Sequence, residues 1–185
     1  GTGSGSESID MGIGLWTVTG SIDFSNGSAT HDGTLLMNGT ANLIANNTTF
    51  FDLVINGNTN TVTVTGSNTK VAGTLTIGNV ADGNSDTLDI ASGFSVTSTT
   101  VGSGVVFTAS GSDSITGSGT LIMQNSSLET DGTLSANVRY DATNGDLTMV
   151  TRTYGGNVEV YNNSSGSART VTPNAGTHTI SGNLT

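Results

Sequence analysis

Asp82, Asn84 and Asp86 form the strongest candidate for a metal site in this sequence. They place oxygen-bearing side chains at alternate positions of one loop, as in the first half of a calcium-binding loop. The second half departs from that pattern, because Thr87 stands where the loop needs Gly and Gly93 stands where it needs Glu. We therefore favour a solvated turn rich in Asp and Asn, with Ca²⁺ as the alternative, and expect no other cofactor.

Groups that could act in catalysis are few. His31 precedes an Asp-Gly turn and His178 lies between two Thr, and neither has a carboxylate or a nucleophile at a spacing typical of a triad or a zinc site. Paired carboxylates can hydrolyse glycosides, but which Asp and Glu would pair cannot be read without a strand register. We predict surface positions for both histidines and no enzyme activity.

Asn-x-Ser/Thr sequons are a third kind of candidate site. The glycosylation candidates are Asn26, Asn38, Asn47, Asn125 and Asn163. A chain this rich in Asn, Ser and Thr contains such sequons by chance. We therefore expect glycan on them only if the protein is exported from an archaeal or eukaryotic cell.

The elements that must position these residues are β-strands, as the composition indicates. The 185 residues are 33% hydrophobic and only 10% charged, with 27 Gly, one Pro and no Cys. A disordered chain of low hydrophobicity normally has a high charge density and more Pro. Thr, Val and Ile dominate the alternating runs, and their branched side chains fit a pleated sheet.

The net charge of −10 excludes several kinds of partner. Only Lys70, Arg139, Arg152 and Arg169 are positive, and four scattered cations cannot form the basic face that binds nucleic acid or anionic lipid. No apolar run reaches the roughly 18 residues that span a membrane, so we expect no membrane insertion in this segment. The absence of Cys, together with little Lys, favours an extracellular or cell-surface location.

Short alternating strands divided by turn residues recur along the chain. Thr61–Thr65 alternates strictly, which places Val62 and Val64 on one face. No segment keeps a helical apolar period for ten positions, so we predict an all-β chain with essentially no helix. Two architectures fit this pattern. One is a right-handed parallel β-solenoid of short stacked coils, and the other is one or two antiparallel β-sandwich domains.

Repetition favours the solenoid over the sandwich. The tripeptide Gly-Thr-Leu begins at Gly33, Gly73, Gly119 and Gly132. Stacked coils gain from equivalent residues at equivalent positions, whereas a sandwich does not need them. We predict a flexible Gly/Ser lead over residues 1–8 and one solenoid domain over 9–185. Any internal division would give two degenerate repeats, over about 9–103 and 104–185.

The repeats also resemble those of a known group of proteins. Phe51–Asn56, followed by Thr61–Val64 and Gly73–Ile77, resembles the repeats of large secreted β-helical surface proteins of bacteria and archaea. The chain from 154 to 184 is similar to a second variant of these repeats. The resemblance implies an adhesin, an S-layer-like coat or an extracellular filament, and it brings no shared catalytic residues.

Candidate assembly residues follow from strand geometry. Phe50 and Phe51 are adjacent and therefore face opposite sides of one strand. If Phe51 faces inward, Phe50 is outside and contacts another subunit. Thr177, Thr179 and Ile180 lie in a strand-like run whose edge is available for pairing with another chain.

These observations predict a non-catalytic extracellular structural protein. It would be a subunit or segment of a cell-surface layer, stalk or filament, and it would self-associate through its stacked coils. The first alternative is an adhesin-type module that binds glycan or protein. The second alternative is a β-helical enzyme that degrades polysaccharide.

Overall fold

The computed structural model describes residues 7–46, 48–56, 61–66, 69–78, 86–90, 105–109, 113–124, 127–129, 134–143, 145–164 and 167–185. These residues form β-strands joined by turns, without helix. The strands are β1 (Glu7–Asp10), β2 (Leu15–Val18), β3 (Ile22–Asp23), β4 (Gly27–Met37), β5 (Ala41–Ile44), β6 (Thr49–Ile55), β7 (Thr61–Thr65), β8 (Lys70–Val71), β9 (Leu75–Ile77), β10 (Thr87–Ile90), β11 (Val105–Ala109), β12 (Asp113–Gly117), β13 (Thr120–Met123), β14 (Ser127–Glu129), β15 (Asn137–Asp141), β16 (Leu147–Met149), β17 (Thr153–Tyr154), β18 (Val158–Tyr161), β19 (Val171–Pro173) and β20 (Thr179–Ile180).

The strands stack into three ladders that run along one rod. The first ladder pairs β2, the end of β4, the end of β6, β9, β13, β15 and β18 in succession, all in parallel. The second ladder pairs β3, β5, β7, β10 and β14 in parallel. The third ladder begins with β1, the start of β4, the start of β6, and β8.

The chain visits the third, first and second ladders in turn, and each circuit lies on the previous one. This path is a parallel β-solenoid. The prediction of an all-β chain of stacked coils is therefore confirmed, and the alternative of antiparallel sandwiches is not what the structure shows. Glu7 and Ser8, which we assigned to the lead, belong to β1. The first ladder joins β9 directly to β13, so it continues across the division expected near residue 103.

The core is a set of apolar columns that run along the rod. Alternate residues of each parallel strand face inward, so equivalent residues of successive coils stack on each other. Leu35, Leu53, Leu75 and Leu121 form one such column in the first ladder, and all are fully buried. Burying one such side chain contributes about 1.5–3 kcal/mol. Hydrophobic stacking between coils therefore holds the rod together.

Glycine stands at the corner that precedes several strands of the first ladder, among them those after Gly33, Gly73 and Gly156, and Gly73 shows why. A β-carbon on Gly73 would lie 2.7 Å from the carbonyl oxygen of Phe51 in the coil above. A β-carbon on Gly182 would lie equally close, 2.7 Å, to the carbonyl oxygen of Gly156. At Gly73 and Gly182, Gly-Thr-Leu and Gly-Asn-Leu thus mark a corner where two backbones approach too closely for a side chain.

The regular stacking is interrupted once among the described strands. β11 runs antiparallel to β8 on one side and to β12 on the other. After β12 the third ladder continues in parallel through Leu134 and Tyr154 to β20. At this level the third ladder contains a reversed strand, whereas the first ladder passes from β9 to β13 with nothing between them.

Candidate assembly site at the two ends of the rod

The predicted metal ligands are only partly within the described residues. Asp82 and Asn84 lie outside them. Asp86 directly precedes β10 and is fully buried, so this position is not the solvated turn that we expected. Among the residues that the structure describes, no three or more His, Asp or Glu side chains come together as a metal site.

His31 is not on the surface, contrary to our prediction. The register of β4 and β6 pairs it with Phe50, so its side chain joins an inner column and is buried. Neither ring nitrogen of His31 has a hydrogen-bond partner in the described structure. His178 is half-buried, and its Nε2 lies 2.9 Å from the carbonyl oxygen of Asn174. The turn dipeptide after His31 did not reveal which way the side chain faces.

The sequons differ in how far the structure describes them. Asn26, Asn38 and Asn163 are exposed and lie outside the strands. Asn47 and Asn125 fall outside the described residues. Their glycosylation stays a prediction.

The expected orientation of the two adjacent phenylalanines is wrong. Phe50 is fully buried and packs 6.1 Å from Phe24 between ring centroids, whereas Phe51 is 48% exposed. Phe50 cannot be a surface contact, because its register partners are the inward-facing His31 and Val71. Adjacent aromatic residues do not show which of them faces the core. That information lies in the neighbouring coils.

The first rung of the rod, residues 7–23 with β1, β2 and β3, has an open edge. Trp16 occupies the inner column above Leu35 and is 44% exposed, since none of the described coils lies above it. Its indole N–H donates to the carbonyl oxygen of Met11 at 2.9 Å, which holds the ring across the end. Ile13 and Leu15 beside it are also exposed. The first rung thus presents an apolar end face.

The last rung, residues 171–185, forms the opposite end face. Leu184 pairs with Val158 and so continues the inner column of Trp16, and it is 62% exposed. Thr179 and Ile180 form β20, which pairs with β17. Thr177 and Thr179 are exposed and Ile180 is half-buried. Of the four assembly candidates, the three in this rung therefore lie at an end of the rod.

A ladder of asparagines runs along the corner of the last coils. The backbone N–H of Asn157 donates to Oδ1 of Asn137 at 3.0 Å, and the N–H of Asn183 donates to Oδ1 of Asn157 at 2.9 Å. Asp52 does the same for the N–H of Thr74, at 2.8 Å. Each side chain thus satisfies the backbone of the following coil. We did not predict this ladder, although Asn before an inward Val or Leu was a visible signal.

Two buried tyrosines inside the last coils are fully hydrogen-bonded. The Tyr154 hydroxyl donates to the carbonyl oxygen of Val150 at 2.6 Å and lies 2.7 Å from the Tyr140 hydroxyl. Burial raises the pKa of Tyr154, and it raises that of Tyr140 as well. Both hydroxyls are therefore protonated near neutral pH, and their role is to satisfy polar groups within the core.

The interior offers little room for a ligand where the structure describes it. One cavity of about 10 Å³ lies beside Tyr140, lined by Leu121, Met123, Leu128 and Val138 among others. This volume corresponds to about one water molecule. A sugar does not fit there.

Charge is distributed unevenly between the two ends. Glu7, Asp10 and Asp23 are the charged residues of the first rung, and all are acidic. Hydrogen bonds from Ser25 lower the pKa of the exposed Asp23 carboxyl, so it is ionised near neutral pH. The chain from 163 to 185 contains Arg169 and no Asp or Glu. The first rung is thus acidic, whereas residues 163–185 contain no acidic side chain.

No helix among the described residues is long and apolar enough to cross a membrane. Comparison with protein-family models, with curated proteins and with solved structures finds no match for this chain.

Proposed function

We propose that this chain is a non-catalytic structural protein of the cell exterior, a subunit or segment of a surface layer, stalk or filament. The observation that carries the proposal is the stack of parallel coils, whose described core consists mainly of aliphatic side chains. Trp16 and Leu184, in the first and last described rungs of one inner column, are exposed. Contiguous apolar surface at an open strand edge is typical of a surface that pairs with another chain.

The interior supports a mechanical role. Its columns consist mainly of Leu, Ile, Val and Met, which pack but supply no groups for chemistry. Hydrogen bonds between coils run along the rod axis, so a load along the rod is shared by three ladders. Stability in such a stack is approximately a sum over neighbouring coils. Joining rods end to end would extend the same interactions from one molecule to the next.

The surface supports a location outside the cell. The chain has no Cys and only four Lys and Arg, and its outward positions are rich in Thr, Ser and Asn. Such a surface needs no reducing environment, and its net charge of −10 keeps the separate molecules soluble. The location remains part of the proposal.

Sedimentation velocity and electron microscopy of the purified chain test the proposal. We expect linear particles whose length increases with protein concentration. Leu184→Asp places a charge on the last end face and should abolish this growth, because the apolar contact would then bury an unpaired carboxylate. Phe51→Asp is the matched control, since Phe51 is an exposed apolar residue away from both ends.

Two results would contradict the proposal. One is a wild-type chain that stays monomeric at every concentration at which it is soluble. The other is an equal loss of growth in the Leu184 and Phe51 variants, which would mean that the end face has no special part in assembly.

A further inference from the structure

We propose that Asn38 is a site of spontaneous modification, at which the chain converts an asparagine into aspartate and isoaspartate. The reaction requires an asparagine followed by a residue whose backbone nitrogen can reach the side-chain amide, and glycine hinders that approach least. The chain has four Asn-Gly pairs, at Asn26, Asn38, Asn56 and Asn144. The structure distinguishes between them. This modification does not depend on the proposed function, because it needs only water and one corner of the rod.

The chemistry takes place between two neighbouring residues. The backbone nitrogen of Gly39 loses its proton to solvent and attacks Cγ of Asn38. The bond from Cγ to Nδ2 then breaks, and the amide nitrogen leaves as ammonia after taking a proton from water. The product is a cyclic imide that includes the Gly39 nitrogen. Water opens this ring at Cγ to give aspartate, or at the main-chain carbonyl to give isoaspartate, in which the backbone continues through the side chain.

The corner at Asn38 leaves both reacting groups free. Asn38 directly follows β4, and its side chain is exposed. The N–H of Asn38 donates to the carbonyl oxygen of Val18 at 2.7 Å, which holds the residue against the coil above. The Asn38 side chain and the N–H of Gly39, in contrast, make no hydrogen bond with any described residue. The imide can therefore form without breaking a hydrogen bond of either reacting group.

Asn26 belongs to the same dipeptide in a different setting. Its side chain is also exposed, but Gly27 is the first residue of β4 and pairs with Glu7. The N–H of Gly27 donates to the carbonyl oxygen of Phe24 at 3.2 Å. The nitrogen must leave this hydrogen bond before it can attack the side chain. We therefore expect Asn26 to react about three- to tenfold more slowly than Asn38, as for the cost of one hydrogen bond.

The asparagine ladder shows the opposite situation. The side chains of Asn137 and Asn157 each accept a backbone N–H of the following coil, at 3.0 Å and 2.9 Å, so their amides are fixed. Each is also followed by valine, whose branched side chain hinders the attack. Of the two remaining Asn-Gly pairs, Gly57 and Asn144 lie outside the described residues. Among the described asparagines, Asn38 thus combines a glycine neighbour, an exposed amide and an unbonded backbone nitrogen.

The modification would change both the charge and the geometry of this corner. Both products add a carboxylate to a chain whose net charge is already −10. Isoaspartate also lengthens the backbone path between β4 and β5 by one carbon atom. The corner is tight, since a β-carbon on Gly39 would lie 2.5 Å from the carbonyl oxygen of Thr19. We therefore expect isoaspartate to destabilise the rod, whereas aspartate should not.

Peptide mass spectrometry of the purified chain, aged at neutral pH, tests the proposal. The chain is produced in a host that adds no glycan, because a glycan would occupy Nδ2 of Asn38. The exchange of an amide for a carboxylate changes the peptide mass, and enzymatic methylation of isoaspartate identifies that product. In the folded chain we expect modification at Asn38 to be about three- to tenfold faster than at Asn26. In urea, where both dipeptides are free, the two rates should be similar.

Asn38→Gln and Asn26→Gln are the matched variants, because glutamine forms the corresponding larger ring far more slowly. Asn38→Gln should remove the fast modification of the folded chain, whereas Asn26→Gln should leave it unchanged. Asn38→Asp carries the charge of the product without the longer backbone. Its urea unfolding should match that of the fresh wild-type chain. The isoaspartate form, separated by chromatography, should unfold at a lower urea concentration.

Three results would overturn the inference or part of it. Equal rates at Asn38 and Asn26 in the folded chain would show that the hydrogen bond of Gly27 gives no protection. Modification of Asn38 in urea but not in the folded chain would show that the corner holds Gly39 away from the side chain. An isoaspartate form as stable as the fresh chain would refute the expected destabilisation.

Discussion

The first and third ladders are two sides of the same rod, but they differ in how uniform their inner residues are. Between its ends, the first ladder repeats a few similar side chains at one inner position: Leu35, Leu53, Leu75, Leu121, Val138 and Val158. The third ladder changes its inner residue from coil to coil: His31, Phe50 and Val71, and then, beyond the reversed strand, Ile115, Leu134 and Tyr154. The first ladder therefore fixes which residues of successive coils lie opposite each other. The third ladder tolerates a different inner side chain in each coil.

The difference follows from what lies beside each position. In the first ladder, a polar side chain precedes each of these inner residues, and at Leu35, Leu75 and Val158 a glycine corner precedes that side chain. Backbone spacing and inner side chain are therefore fixed together at those coils. In the third ladder, the large Phe50 side chain fits because Phe24 packs against it, and Tyr154 fits because Tyr140 and Val150 take its hydroxyl. The inner residue of each coil in the third ladder is therefore packed by a different set of neighbouring side chains.

The largest effect is expected from truncating a side chain in the uniform inner column of the first ladder. Leu75→Ala should lower the free energy of unfolding by about 2–5 kcal/mol, because it leaves a cavity between two fixed coils. Val71→Ala, in the third ladder of the same coil, removes two methyl groups and should cost about 1–2 kcal/mol. Urea unfolding followed by circular dichroism measures both. Equal losses per carbon atom removed would mean that the two ladders are equally constrained.

The glycine corner provides the next largest effect. Gly73→Ala should lower the free energy of unfolding by about 1–3 kcal/mol, because the new methyl group would meet the carbonyl oxygen of Phe51. Gly145→Ala is the control, since a β-carbon there has nothing within 4 Å. Its effect should stay within about 0.5 kcal/mol. The same urea titration measures both, and similar results for the two would argue against close approach as the reason for glycine.

The tyrosine pair, Tyr140 of β15 and Tyr154 of β17, makes the stability of the last coils sensitive to high pH. Burial raises the pKa of both Tyr140 and Tyr154 above the usual 10.0. Above about pH 10 the unfolded chain therefore loses phenolic protons that the folded chain keeps. The free energy of unfolding should be constant below this pH and then fall by about 1.4 kcal/mol per pH unit for each proton involved.

Replacing both tyrosines sharpens that test. The Tyr140→Phe/Tyr154→Phe variant should lose most of the decline above pH 10, although it is less stable at neutral pH. Tyr161→Phe, a half-buried tyrosine, is the control and should keep the decline. If the free energy of unfolding declines equally in the double variant, the decline is caused by other ionisable groups.

The smallest expected effect is a gain in stability on replacing His31. His31 is buried with both ring nitrogens lacking partners among the described residues, which is unfavourable for a polar group. His31→Leu should raise the free energy of unfolding by about 1 kcal/mol. His178→Leu should lower it slightly, since His178 contacts the carbonyl oxygen of Asn174. A loss of stability in His31→Leu would indicate that the imidazole is satisfied in solution.

Much of the fold could be predicted from local sequence. Alternation located strands such as Thr61–Thr65 and Phe50–Ile55 nearly as observed, and the repeated Gly-Thr-Leu favoured stacked coils. The tripeptide was informative because at Gly33 and Gly73 the glycine stands where two backbones approach closely. Its copy at Gly132 was less useful. There the Leu of the tripeptide, Leu134, lies in the third ladder and not in the first.

The candidate site was harder to predict, because its properties depend on register between distant residues. Local alternation could not decide between Phe50 and Phe51, since that choice depends on Val71 and His31. It also placed His31 on the surface. The assembly candidates in the last rung were predicted from the strand-like pattern of their own sequence. The position of Trp16 in the same inner column as Leu184 depends on the strand register, which local sequence does not reveal.

The reversed strand β11 has a geometric consequence for any filament built from this chain. It adds about 4.8 Å to one side of the rod while the opposite side keeps its usual spacing. Across a cross-section of about 10 Å, this difference corresponds to a change of direction on the order of 20–30°. The rod would therefore bend at the level of β11, and any filament built from such rods would repeat that bend in every molecule.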